Sequence, residues 1–253
     1  MGGGWAWYCS RVLSDNLIAR FRGRVFVLTG AGISVASGIR PFRGDHGLYE
    51  GLNPYELASP EAFAERPVTV WNWYLMRIHE GKHARPNPAH KALVGMEREA
   101  AMLTVVTSNV DELHEEAGST RVFHLHGRIF ERRCTVCDFL EQVDPYSLPE
   151  RVDEATLFRC RCGHVLRPNV VWFGEHPWPR AIDAVQFEMP KAHVVLEIGS
   201  SGAVSYGFTE AAAAAGIPVV VINPDAEETP GMTVINEKAE DALPRLLDRI
   251  LSR

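Results

Sequence analysis

The chain has 253 residues, of which 46% are hydrophobic and 23% charged, and its 26 basic and 32 acidic side chains leave a net charge of −6. These are ordinary globular values; they exclude global disorder and, at roughly 150 residues per domain, allow between one and two domains. The acidic balance argues against a nucleic-acid surface spread over the chain, and there is no apolar run of ~18 residues to cross a membrane.

Met1 to Ser10 lacks a basic stretch followed by an apolar one, so no signal peptide is expected and a cytoplasmic location is. Arg24 to Gly30 is apolar, β-branched and closed by glycine, which predicts a buried parallel strand. Met102 to Thr107, Val194 to Ile198 and Pro218 to Ile222 read the same way. Helices are predicted at Pro88 to Arg98, Thr209 to Ala215 and Glu237 to Leu251, with Pro244 breaking or kinking the last. Strands alternating with helices predict an α/β fold with an open, mostly parallel, Rossmann-like sheet. The alternation fails at about 45–87, which is aromatic and helical, and at about 128–167, which holds the cysteines. The expectation is one catalytic domain over 1–253. Its large part would be built from approximately 20–44, 88–127 and 168–253. A smaller lobe would come from the helical insertion and a zinc-binding insertion.

Four of the five cysteines fall within 29 residues, as Cys134-x2-Cys137 and Cys160-x-Cys162. In a chain without a signal peptide this points to a reducing compartment and a metal rather than disulfides. Two tight turns with two thiolates each complete a tetrahedron with no open position, so the metal is structural Zn2+. His164 is a weaker competing ligand. Arg128, Arg132, Arg133, Arg159, Arg161 and Arg167 surround the site. They would be a nucleic-acid patch or, the favoured reading, a solvated face balanced by acidic neighbours.

After the first strand, Gly30-Ala31-Gly32-Ile33-Ser34 offers a turn that lets backbone approach a phosphate. The usual dinucleotide pattern needs a third glycine, and Val35 stands there, so a plain tight turn is the competing reading. Asn109 and Asp111 follow a strand two residues apart and share a side on extended backbone, or else cap a helix. His126 precedes a glycine and suits proton transfer near neutrality, although a lone histidine is more often structural. Tyr74 and Arg77 are neighbours on one helix face, on composition an ordinary surface pair.

Together the motifs are specific. Gly-Ala-Gly-Ile-Ser-x-x-Ser-Gly-Ile-x-x-Phe-Arg-Gly from Gly30, Thr107-Ser108-Asn109-Val110-Asp111, Leu125-His126-Gly127 and Arg167 to Glu175 resemble, in order, the signatures of the sirtuins. These are NAD-dependent protein-lysine deacylases. The resemblance spans about 23–239. It implies that NAD is held by Gly30, Ala31, Gly32, Ile33, Ser34, Phe42, Arg43, Ser108, Asn109, Asp111, Gly199, Ser200, Ser201, Asn223 and Ala239. His126 would be the general base toward a ribose hydroxyl, with Asn109 orienting the ribose or a water. Acyl-lysine proteins would bind as extended peptides along Val171, Phe173, Gly174 and Glu175. Tyr74-x-x-Arg77 and the small Ala58 resemble the sirtuin class that removes succinyl and malonyl groups, Arg77 pairing with the acyl carboxylate.

Two departures stand out. Ser108 replaces the family's glutamine, and the stretch from Gly202 to Tyr206 lacks the usual Val-x-Pro pattern. The implied products are free lysine, nicotinamide and O-acyl-ADP-ribose, with acetyl groups also removed. Rival readings are an NAD hydrolase or ADP-ribosyltransferase using the same site, or a zinc-ribbon module binding ADP-ribose or nucleic acid. No membrane partner is expected, nucleic acid is disfavoured, and nothing in the sequence requires an oligomer.

Overall fold

The computed structural model describes residues 13–41, 53–200 and 206–253. The first apolar run forms β1 (Arg24–Thr29), buried at every position after the first because both its faces are covered. It pairs in parallel with β2 (Met102–Thr107) and β7 (Val194–Ile198). β3 (Val122–His124), β8 (Val219–Ile222) and β9 (Met232–Ile235) extend the sheet, which runs β3-β2-β1-β7-β8-β9 with all pairs parallel. Strand order reverses between β1 and β7. In open α/β sheets this switch point is where a crevice opens beyond the strand C-termini.

Helices cover both faces. On one face α1 (Asp15–Arg20), α4 (Pro88–Glu99) and α8 (Ala239–Leu251) pack Ile18, Leu93, Met96, Leu243 and Leu246 against Val25, Val27 and Leu196. On the other, α6 (Pro179–Glu188) and α7 (Phe208–Ala214) pack Ala181, Val185 and Ala212 against Phe26, Leu28 and Val195. Pro244 does not end the last helix. Ala239, Ala242, Leu243, Leu246 and Ile250 form a buried stripe on the sheet, and this tertiary packing outweighs one missing N–H. β3 and β9 lie outside the sequence expectation; both are short strands at the two edges of the sheet.

The cysteine segment adds an antiparallel sheet, β5-β4-β6, from β4 (Gly127–Cys134), β5 (Leu140–Gln142) and β6 (Leu166–Val170). It packs with α2 (Pro60–Glu65) and α3 (Pro67–Gly81) around Phe63, Trp71, Trp73, Tyr74, Ile129, Val152, Leu157 and Trp172. Trp71 Nε1 donates to the Leu166 carbonyl at 2.7 Å, and the Asn72 amide exchanges two hydrogen bonds with the Val152 backbone. Among the described residues no helix is long and apolar enough to cross a membrane.

Candidate active site

The glycine turn stands at the switch point. Gly30 N–H donates to the Ile198 carbonyl and Gly32 N–H to that of Gly199, both at 2.9 Å, so the ends of β1 and β7 touch. A Cβ on Gly32 would lie 2.6 Å from Gly199 Cα, and Gly199 itself has φ +60. Glycine is therefore required here for backbone crossing as well as for any anion. The turn continues as a short 3-10 helix, Ala31–Ser37. Asn87 pins it from outside, its Nδ2 donating to the Ile33 carbonyl at 2.7 Å and to Ser37 Oγ at 2.9 Å. Asn223 Nδ2 holds the Ser200 carbonyl at 2.6 Å, which fixes the far side of the crevice. The Ala239 side chain is buried in the core, leaving backbone at the start of α8.

Beyond β2, Asn109 and Asp111 converge on Ser34. Asn109 Nδ2 donates to the Gly30 carbonyl at 3.1 Å and to Ser34 Oγ at 3.2 Å, while Ser34 Oγ donates to Asp111 Oδ2 at 2.9 Å. Asp111 Oδ1 also accepts the Leu113 N–H; the N-cap of α5 (Leu113–Ala117) is Glu112, so Asp111 braces the turn that enters the helix rather than capping it. Burial pushes its carboxyl above the usual range, against the pull of the Leu113 and Ser34 donors. Asn109 Oδ1 is buried without a hydrogen-bond partner among the described residues. An orphaned acceptor beside a cleft is the condition a polar ligand relieves.

His126 lies between β3 and β4, where the chain leaves one sheet for the other. Gly127 permits the change of direction: its φ is +75, and a Cβ there would collide with the Asn169 carbonyl oxygen. His126 Nδ1 lies 3.0 Å from the Ser108 carbonyl, and Nε2 lies 2.9 Å from the Tyr206 hydroxyl. Burial lowers the pKa of His126, opposed by the Ser108 contact. Ser108 Oγ in turn donates to the Thr29 carbonyl, so the short side chain braces backbone rather than reaching outward. Behind this group His124 contacts the Asn109 carbonyl and Glu115, and Arg128 closes on Glu115 at 2.6 Å. Burial alone would raise the Glu115 carboxyl, but His124 and Arg128 hold it below the usual range.

Ala31, Ser34, Asn109 and Asp111 line a cavity of about 250 Å³ together with Arg77, Arg40, Lys82, Ile129 and Phe130. This is close to the ~300 Å³ at the lower end of small-molecule sites. Arg40 pairs at 2.8 Å with Glu80, which also lines it. Tyr74 and Arg77 are not surface residues. Both are buried in α3, with the Arg77 guanidinium 4.7 Å from the Trp73 ring centroid and 5.7 Å from that of Tyr74. Tyr74 Oη accepts from Trp172 Nε1 at 2.8 Å. Ala58 is buried beside them, its carbonyl accepting the Phe173 N–H.

Val171 to Glu175 does not continue as a strand. β6 ends at Val170, the Val171 N–H donates to the His126 carbonyl, and Trp172–Glu175 forms a turn with Gly174 at φ +88. The Glu175 carboxylate receives both guanidinium nitrogens of Arg167, at 2.6 and 2.9 Å, and the Trp172 N–H at 2.9 Å. Arg167 also stacks 3.4 Å over the Trp172 ring. Glu175 therefore fixes the turn, and a peptide would meet main chain here. Phe42, Arg43 and Ser201, with the stretch from Gly202 to Val204, lie outside the described residues.

Cys134, Cys137, Cys160 and Cys162 present their sulfurs within 4.8 Å of one another, with Cys134–Cys162 at 3.5 Å and Cys137 at 3.6 Å from both Cys160 and Cys162. A tetrahedron with ~2.3 Å zinc–sulfur bonds has edges of about 3.8 Å, so the set fits Zn2+. Backbone donors pull the Cys134 thiol down to about 6. Cys137 receives the Phe139 N–H but is pushed up to about 12 by three neighbouring thiols, the crowding that a dication relieves. His164 Nδ1 reaches Cys162 Sγ at 3.5 Å and stands outside the four-sulfur set. Of the nearby arginines, Arg128, Arg132, Arg133 and Arg167 all pair with glutamates, as a balanced face does.

The sequence pattern of the Sir2 family matches residues 30–206, which carry this entire glycine-turn, asparagine and histidine arrangement. The chain belongs to the Sir2 family. The NAD-dependent protein deacylase Sir2 of Mycolicibacterium smegmatis is 42% identical over 238 residues, spanning 90% of this chain and 96% of its own. The NAD-dependent protein deacylase of Thermococcus kodakarensis is 42% identical over 249 residues, 93% of each chain. Among solved Sir2 structures, a mutant homologue in complex with ADP-ribose aligns with a TM-score of 0.85 at 36% identity, over 94% of this chain and 97% of that one. A Sir2 homologue in complex with NAD aligns at 0.82 and 35% identity, over 95% and 94%.

Sequence reasoning missed Asn87, His124 and Glu115 as supports of this Sir2 site. Asn87 precedes a proline in a helix-capping position, which signals the cap but not its second contact with the glycine turn. His124 and Glu115 are brought together only by the fold.

Proposed function

We propose that this protein is an NAD-dependent protein-lysine deacylase that removes succinyl and malonyl groups and also acetyl. The observation that carries the acidic-acyl reading is the buried guanidinium of Arg77 lining the same cavity as Asn109 and Asp111. A carboxylate delivered beside it would gain a charge-assisted, bidentate partner in a water-poor setting.

NAD, when bound, supplies an electrophilic ribose carbon from which nicotinamide departs. Gly30 to Ser34, Gly199, Ser200 and Asn223 form the crevice that would hold it, and the orphaned Asn109 Oδ1 would find its partner there. Asp111, fixed by Ser34 and the Leu113 N–H, is set to accept from a carboxamide N–H. His126 donates Nδ1–H to the Ser108 carbonyl, which leaves the Nε2 lone pair to take a proton from a ribose hydroxyl. Water has to be kept from the reacting carbon, because it would otherwise hydrolyse NAD. The products would be free lysine, nicotinamide and O-acyl-ADP-ribose, and the substrates proteins bound as extended segments. Cys134, Cys137, Cys160 and Cys162 would hold a structural zinc that fixes the antiparallel sheet and takes no part in chemistry. The two insertions, sharing one core, would act as a single small lobe beside the Rossmann-like sheet.

A panel of acetyl, malonyl, succinyl and glutaryl peptides of one sequence, incubated with NAD and read by mass spectrometry, tests the assignment. Faster turnover of the dicarboxylic acyl groups supports it, and exclusive deacetylation overturns the acidic-acyl part.

A further inference from the structure

The nitrogen that faces the cleft is already engaged. Because a carbonyl can only accept, His126 Nδ1 carries its hydrogen toward Ser108, and Nε2 holds the lone pair. The Tyr206 hydroxyl, 2.9 Å away, therefore donates to Nε2. A side chain of the protein itself covers the one atom on His126 able to accept a proton.

The backbone is set for this contact. Tyr206 has φ +50, the left-handed conformation that residues with a Cβ rarely adopt. Among the described non-glycine residues it stands alone in this. Gly207 follows at φ +71, with open space where a Cβ would stand, and leads into α7. The Tyr206 ring rests 5.5 Å from that of Phe208 and stays 50% exposed, so core packing does not lock it over the histidine. Tyr206 is thus held over the histidine by one hydrogen bond at its tip, on a backbone conformation that favours glycine.

We propose that Tyr206 is a reversible cap on His126: its hydroxyl occupies Nε2 in the free protein and is displaced by the hydroxyl that His126 deprotonates. The identity of that displacing group as a ribose hydroxyl of NAD rests on the deacylase reading; the cap belongs to the free protein. While capped, the base cannot activate a stray water. Binding competes with the cap, so the apparent affinity for NAD falls in proportion to the capped fraction. One neutral hydrogen bond corresponds to a capped-to-open ratio of about threefold to tenfold.

The test compares wild type with Tyr206→Phe, and with Tyr206→Leu in case the phenyl ring alone shields the nitrogen. Histidine-ring nitrogen spectra of the ligand-free, zinc-loaded protein read the cap directly. The His126 Nε2 resonance is expected to move to that of an uncapped acceptor in both variants, with His90, His114 and His124 unmoved. Initial rates should give a kcat/KM for NAD raised about threefold to tenfold. An unmoved Nε2 resonance overturns the cap. A moved resonance with kcat/KM unchanged or lowered overturns the competition. If wild type releases no nicotinamide while the resonance still moves, it is the deacylase reading that fails and not the cap.

Discussion

Replacing Arg77 by methionine separates the charge in the cavity from the volume that carries it. Arg77 is only 8% exposed and its guanidinium lies against the Trp73 and Tyr74 rings, so methionine keeps the apolar contact with the aromatic wall and removes the cation. A hydrogen bond to a charged group is worth about 1.5–3 kcal/mol, and 1.4 kcal/mol is tenfold. Loss of the succinyl carboxylate's partner should therefore lower kcat/KM for a succinyl peptide by about 10- to 150-fold. An acetyl peptide of the same sequence has no carboxylate, and its kcat/KM should stay within about threefold. That acetyl rate, with a thermal melt, also registers any general disturbance from altering a buried cation. The assay is product formation from the two matched peptides at saturating NAD, followed by mass spectrometry. Equal losses on both peptides would refute the reasoning.

Three further outcomes follow from the same geometry. Burial holds the His126 pKa below 6.5, so as the deprotonated base it should give a kcat/KM profile whose acidic limb lies below pH 6.5; a limb above pH 7 contradicts the assignment. His90 and His114 are buried and held neutral, at about 4 and about 3, their rings 5.0 Å apart. The unfolded chain binds protons at these residues below pH 6.5 and the folded one does not. Stability is thus complete above 6.5 and falls as pH drops toward 4, by about 2 kcal/mol per histidine at pH 5. Urea midpoints at pH 7.5 and 5.0 should show this, with a shallower dependence in His114→Asn. For the metal, elemental analysis should find one zinc per chain. Cys137→Ala should lose it, and limited proteolysis should then cut within 128–167 first; cleavage elsewhere would place the zinc outside that module.

The parallel sheet was legible because its strands are buried on both faces and read as continuous apolar runs: Val194–Ile198 and Met102–Thr107 match the structure end to end. The edges were not. β9 is apolar but only four residues long and half buried, and β3 has three residues. Pro244 does not break its helix because propensity reads one residue, while the helix is held by a stripe of five buried ones. In the site, the cysteine cluster was legible because its chemistry is tied to short spaced motifs, and the same kind of motif singled out His126 and Asn109 as candidates. Tyr74 and Arg77 were correctly paired on one helix face, yet their burial depends on Trp172 arriving from a distant turn. Glu175 shows the same limit in reverse. It belongs to a recognisable motif, but its carboxylate is taken by Arg167, a contact that nothing in residue type announces.

Nicotinamide release measured with and without an acyl-lysine peptide tests the central claim most directly. Release is expected to require the peptide, to match free lysine one for one, and to disappear in His126→Tyr. Release at the same rate without any peptide would make the protein an NAD hydrolase and contradict it.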